Sequence, residues 1–145
     1  MKIVAFGFEK NISEQVLKNL KTEEIHALKS DKSVIQCFVN NLFTDVPELV
    51  LGLGMYSGRD KDKLRIETSY NLGTEKFAIN YFLEPSLHSK LSDGIGNSYC
   101  NFVSGLIMEK IKSDGLNTRY SFIHIPKSFD VDLAVSEIEG MLSSI

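Results

Sequence analysis

Short apolar runs alternate along the chain with stretches in which apolar residues recur every three or four positions. Ile3 to Phe8 is a compact apolar run ending at Gly7-Phe8 and predicts a buried strand. From Asn11, the residues Val16, Leu17 and Leu20 recur at helical spacing, with Asn11 or Ser13 as the cap. Glu24 to Leu28 predicts a weaker strand. Ser30 or Asp31 then opens a helix whose apolar face is Val34, Ile35, Phe38, Val39 and Leu42. Pro47 stops that helix, and Leu49 to Leu53 is the clearest buried strand. Gly54 to Lys63 reads as a polar loop. Leu64 to Tyr70 alternates as a half-exposed strand does, with Lys76 to Phe82 as its hairpin partner. Glu84 to Asn97 carries Pro, Ser and Gly and reads as loop. Asn101 to Lys112 predicts a helix closed by Gly115, Tyr120 to Ile125 a strand ended by Pro126, and Asp130 caps a last helix.

Such alternation predicts one three-layer α/β/α domain over residues 1–145. Its sheet is mostly parallel and twisted, with an antiparallel hairpin at about 64–82. Sites in such sheets form at the carboxyl ends of strands. That rule selects Phe8, the 54–63 loop, the residues before Cys100, and His124 to Pro126.

Composition narrows the function classes. The 145 residues are 43% hydrophobic and 24% charged, with a net charge of -3, as in an ordinary globular protein. There is no basic stripe with interleaved aromatics, so nucleic acid is not an expected partner. No apolar run approaches the roughly 20 residues of a membrane span. The first residues read as a core strand rather than a signal peptide, and cytoplasmic residence is the expectation. Two cysteines, Cys37 and Cys100, are too few for a disulfide framework, and the three histidines share no metal-ligand spacing. Neither a metal nor a cofactor is expected.

Cys100 precedes a helix. A thiol there sees partly unpaired N–H groups and the positive end of the dipole, which favour the thiolate. By composition alone, a small core residue is the commoner role for such a cysteine, and Cys37 has no other reading. His124 lies on an apolar strand, where a satisfied core histidine is the commoner case. Glu67 reads either as a solvent-facing carboxylate or as the group that orients an imidazole. The glycines from Gly52 to Gly58 do not make a dinucleotide loop, because the spacing is wrong and no helix follows.

Taken together, four segments in order resemble the pyroglutamyl peptidase I family of cysteine peptidases. Met1 to Phe8 is similar to its first strand and Gly-Phe turn. Pro47 to Gly54, followed by Ser57-Gly58-Arg59, resembles its central strand and Gly-Gly-Arg loop. Asn97-Ser98-Tyr99-Cys100-Asn101 resembles its nucleophile motif, and Phe122-Ile123-His124-Ile125-Pro126 the motif that carries its base, at the family's Cys-to-His interval.

The resemblance implies an omega-peptidase that removes an N-terminal pyroglutamyl or similar small blocked residue through an acyl-enzyme, without cofactor. It implies Cys100 as nucleophile, His124 as general base and then acid, and Glu67 as the orienting carboxylate. Phe8, Gly58, Arg59 and Tyr99 would bind substrate, a short peptide or small amide. A homo-oligomer is left open.

The chain departs from the family pattern at three places. A second alignment puts Leu64 instead of Glu67 at the third catalytic position. The Pro-Phe-Gly-Gly loop after the first strand is reduced to Glu9-Lys10-Asn11, which removes one pocket aromatic. The interval from Asn71 to Cys100 is short. A catalytically silent relative serving as a binding or assembly module is therefore the alternative.

Overall fold

The computed structural model describes residues Met1 to Ile145. In chain order the elements are β1 (Ile3–Phe8), α1 (Ile12–Leu17), β2 (Glu24–Leu28), α2 (Lys32–Leu42), β3 (Leu49–Tyr56) and β4 (Leu64–Glu67). They continue with β5 (Ser69–Leu72), β6 (Glu75–Ala78), β7 (Ser89–Ser92), α3 (Tyr99–Ser113), β8 (Arg119–Pro126) and α4 (Val131–Ser143). Six strands form one sheet in the order β2-β1-β3-β8-β4-β7, and β5-β6 form a separate antiparallel pair. All neighbours in the main sheet are parallel except β4 and β8. No helix is long and apolar enough to cross a membrane.

The central strands are buried along almost their whole length because helices cover both faces. Alternate residues of each strand divide between two cores. Val4, Phe6, Val50, Tyr120 and Phe122 pack with α2 and α3. Ala5, Leu51, Leu53, Ile66, Ile123 and Ile125 pack with α1 and α4. Local signals set the helix starts: Asn11, Asp31 and Asp130 each accept hydrogen bonds from first-turn N–H groups. Gly115, with φ of 60°, ends α3 as expected.

The predicted hairpin is present, but its strands are shorter. The chain breaks at Thr68, so Leu64–Glu67 joins the main sheet between β8 and β7 while Ser69–Leu72 pairs with Glu75–Ala78. Leu64–Glu67 is consequently covered on both faces and not half-exposed. The stretch read as loop contains β7. Its neighbourhood is pinned by the Glu137 carboxylate of α4, which accepts from Ser86 Oγ, from Ser89 Oγ at 2.8 Å and from His88 N at 3.0 Å. Burial works against that carboxylate's ionisation, but these donors outweigh it and hold its pKa below the ordinary value. Cys37, read as a core residue, is exposed.

Strand β3 carries glycines at alternate positions facing α3. A Cβ at Gly52 would lie 2.5 Å from Phe6 Cζ and 2.6 Å from Phe122 Cδ2, both held in the core. Gly52→Ala should therefore lower unfolding free energy by about 1–3 kcal/mol in urea titrations. Gly140 in α4 has open space around its Cβ position. There Gly140→Ala should raise stability by about 0.5–1 kcal/mol. Equal effects at the two sites would contradict this packing.

Candidate active site

Strand pleating decides which side chains can meet. Gly54 on β3 and His124 on β8 are register partners in parallel strands. On β4, Arg65 opposes His124 and Glu67 opposes Phe122. Arg65, Glu67, Phe122 and His124 therefore share the face toward α3, whereas Leu64 packs in the opposite core. This assigns the carboxylate beside the imidazole to Glu67 and not to the Leu64 alternative.

His124 is 4% exposed and Glu67 fully buried. His124 Nδ1 lies 2.7 Å from Glu67 Oε2. The other carboxylate oxygen, Oε1, accepts from the backbone N–H of Gly94 at 3.1 Å. A carboxylate accepts, so Nδ1 is the donor of this bond in the tautomer that leaves a lone pair on Nε2. Aromatic rings flank the imidazole: Phe122 meets it edge-on at 5.1 Å between centroids, and Tyr56 lies 6.0 Å away.

Cys100 lies in the first turn of α3, 8% exposed. A Cβ at Gly54 would meet its Sγ at 2.6 Å. The thiol thus fills the space a side chain at 54 would take. Cα atoms of neighbouring strands are ~4.8 Å apart, so that space adjoins the side chain of His124. The ring's side-chain hydrogen bond is to Glu67, and none joins it to the thiol. Ser98, the N-cap of α3, accepts no capping hydrogen bond from a backbone N–H through its side chain, so the first-turn N–H groups have no side-chain cap.

The helix start does not deliver a ready thiolate, contrary to expectation. Burial pushes the Cys100 thiol up to about 11 and the nearby Glu67 charge adds to this, against the Ser98 side chain and the residue's own N–H. The charged sulfur loses more hydration than the first turn returns.

The remaining sequence candidates lie at varying distances from this cluster. Phe8 is buried at the carboxyl end of β1, on the same face, and its N–H and C=O both bond to Ser13 Oγ. A Cβ at Gly58 would strike the Tyr56 ring, so this glycine admits the aromatic that borders His124. Arg59 is exposed. Tyr99 is 38% exposed and turns to the outer side of α3. There it lines a cavity of about 420 Å³ with Lys32, Leu72, Phe102 and Leu106, which neither Cys100 nor His124 borders. The sequence reading singled out none of Gly54, Tyr56, Arg65 and Gly94, although it placed a site at the 54–63 loop and before Cys100; Gly54 to Tyr56 belong to β3 and not to that loop. The period-two spacing of Gly52 with Gly54, and of Arg65 with Glu67, was the signal available for two of them.

The chain shares its fold with pyrrolidone carboxyl peptidases, the enzymes of the family its motifs resemble. Against the one from Thermococcus litoralis the TM-score is 0.79 at 15% identity, covering 99% of this chain and 92% of that one. The Thermus thermophilus enzyme gives a TM-score of 0.78 at 16% identity, covering 99% and 100% of the respective chains. A mutant enzyme from Pyrococcus furiosus gives 0.73 at 17% identity, with 99% and 97% covered. No family model and no curated protein sequence matches the chain.

The raised thiol has a direct chemical consequence. At pH 7.5, iodoacetamide should label exposed Cys37 well before Cys100. Labelling of Cys100 in a Cys37→Ala background should climb through pH 9 to 11 as the thiolate forms. A Cys100 that labels fully at pH 7, with no rise above it, would contradict the burial argument.

Proposed function

We propose that the protein is a cysteine hydrolase of the pyroglutamyl peptidase type, which removes a pyroglutamyl or similar small blocked residue from a short peptide or amide. The observation that carries this reading is the buried 2.7 Å Glu67–His124 pair on the face that holds the Cys100 thiol. A carboxylate that fixes the tautomer of a histidine beside a nucleophile is the arrangement needed for acyl transfer.

The thiol starts protonated, so His124 works as a general base rather than as half of a standing ion pair. Nε2 takes the Sγ proton as the sulfur attacks the scissile carbonyl carbon. The N–H groups of the first turn of α3 can receive the oxyanion. Glu67 stabilises the imidazolium that results. Nε2–H then protonates the leaving amine, the C–N bond breaks, and a thioester on Cys100 remains. Water, deprotonated by Nε2, attacks the thioester; the C–S bond breaks, Nε2–H returns the proton to Sγ, and the acid is released. No other reactant is required.

The alternative, a catalytically silent relative, draws on the burial of the thiol and the missing thiol–imidazole hydrogen bond. A pyroglutamyl-amide reporter separates the two readings. Wild type should hydrolyse it, Cys100→Ser should not, and Glu67→Gln should lower kcat by about 10²- to 10⁴-fold through loss of the imidazolium partner. A wild type no faster than Cys100→Ser overturns the enzymatic reading.

A further inference from the structure

The face that holds the thiol also orders its neighbours across the sheet. Successive strands β1, β3, β8 and β4 present Phe8, the Gly54 space filled by Cys100, His124 and Arg65. If Cys100 is the nucleophile, the blocked acyl residue lies toward Phe8, and the amine that His124 protonates lies toward Arg65. Arg65 thus flanks the leaving residue.

Arg65 is not an ordinary structural arginine. Its side chain is 14% exposed. Its guanidinium lies 4.2 Å from the centroid of Tyr56, the ring next to His124. Nη2 donates to Ser92 Oγ at 2.8 Å, and Nε is buried with no partner. The nearest carboxylate is Asp60 Oδ2, 3.9 Å from Nη1, and that oxygen is already bonded to Lys90 Nζ. Glu67, two residues along β4, is taken by His124 and Gly94. Two cations, Arg65 and Lys90, thus share one carboxylate, in a chain whose net charge is -3. A rigid fork of donors that no carboxylate engages directly suits a planar anion. Directly opposed residues on antiparallel strands have Cβ atoms ~4.5–5.5 Å apart. That separation matches the short reach from a leaving amine to a carboxylate on the same residue.

We propose that Arg65 is a specificity-determining residue that binds a carboxylate on the residue released from the scissile amide. The preferred substrate is then a blocked dipeptide with a free α-carboxylate, or one whose leaving residue is acidic. The proposal rests on Cys100 as the nucleophile for its polarity, and its test has a binding arm that needs no turnover.

The probes are pyroglutamyl-alanine, pyroglutamyl-alaninamide and pyroglutamyl-isoglutamine, which carry respectively an α-carboxylate, no charge, and a side-chain carboxylate. Calorimetric binding to Cys100→Ser should favour at least one acidic probe over the amide by about tenfold or more, the range of one charge-assisted contact. Which acid binds better identifies the source of the carboxylate. Adding Arg65→Met should bring the acid-to-amide ratio close to one, while Arg65→Lys should retain part of it. Circular dichroism confirms folding of each, and Arg65→Lys serves if the Met variant does not fold. In wild type the same preference should appear in KM. Equal binding of acids and amide, no binding of any probe, or a preference that is undiminished in Arg65→Met, or in Arg65→Lys where that variant stands in, overturns the proposal. A preference for the acids without hydrolysis by wild type would sink the enzymatic reading and leave the carboxylate site standing.

Discussion

A carboxylate with no solvent exposure has to be compensated where it lies, and the arrangement around Glu67 answers to that need. An uncompensated buried charge costs several kcal/mol, and removing one partner of such a pair typically costs about 3–5 kcal/mol. Here the compensation comes from two sides, the His124 ring and the Gly94 N–H. The first depends on β4 lying antiparallel against β8, since that register puts Glu67 on the face of His124, and the second on β7 pairing with the other edge of β4. The chain must also pass from β7 back over Glu67 before α3 begins. A single interaction therefore ties together the one antiparallel step of the main sheet, the approach to α3 and the orientation of the imidazole.

The second constraint is space. Gly54 is the position at which the first turn of α3 can lower a sulfur onto the sheet. The thiol gains proximity to His124 and loses hydration. A protonated thiol is the ground state this burial favours. The same strand order that brings the thiol to the face of the imidazole sets Arg65 beyond them, so the proposed acyl and leaving sides of the substrate would lie along one line across the sheet.

The main elements were legible in the sequence because each has a local cause. Apolar runs such as Leu49 to Leu53 have few alternatives to a buried strand, and Asn11, Asp31 and Asp130 are caps with a defined chemistry. Cys100 and His124 were legible mainly through motif resemblance, since composition alone would have assigned both to the core. What remained hidden was tertiary. The break at Thr68 leaves no strong local signature, and β7 is a strand only because β4 offers it an edge. The choice between Leu64 and Glu67 needed the register of β4 against β8. Exposure also escaped the pattern: Cys37 sits in an amphipathic helix yet faces outward, and Tyr99 turns away from the residue beside it.

The central claim is that Cys100 carries the acyl group during turnover. The direct measurement is intact and peptide-mapped mass spectrometry of enzyme quenched in acid while it turns over a pyroglutamyl-amide reporter. The account predicts one pyroglutamyl adduct, located on Cys100 and absent from Cys100→Ser. Hydrolysis with no adduct on Cys100, or an adduct that persists in the Ser variant at another residue, would contradict it.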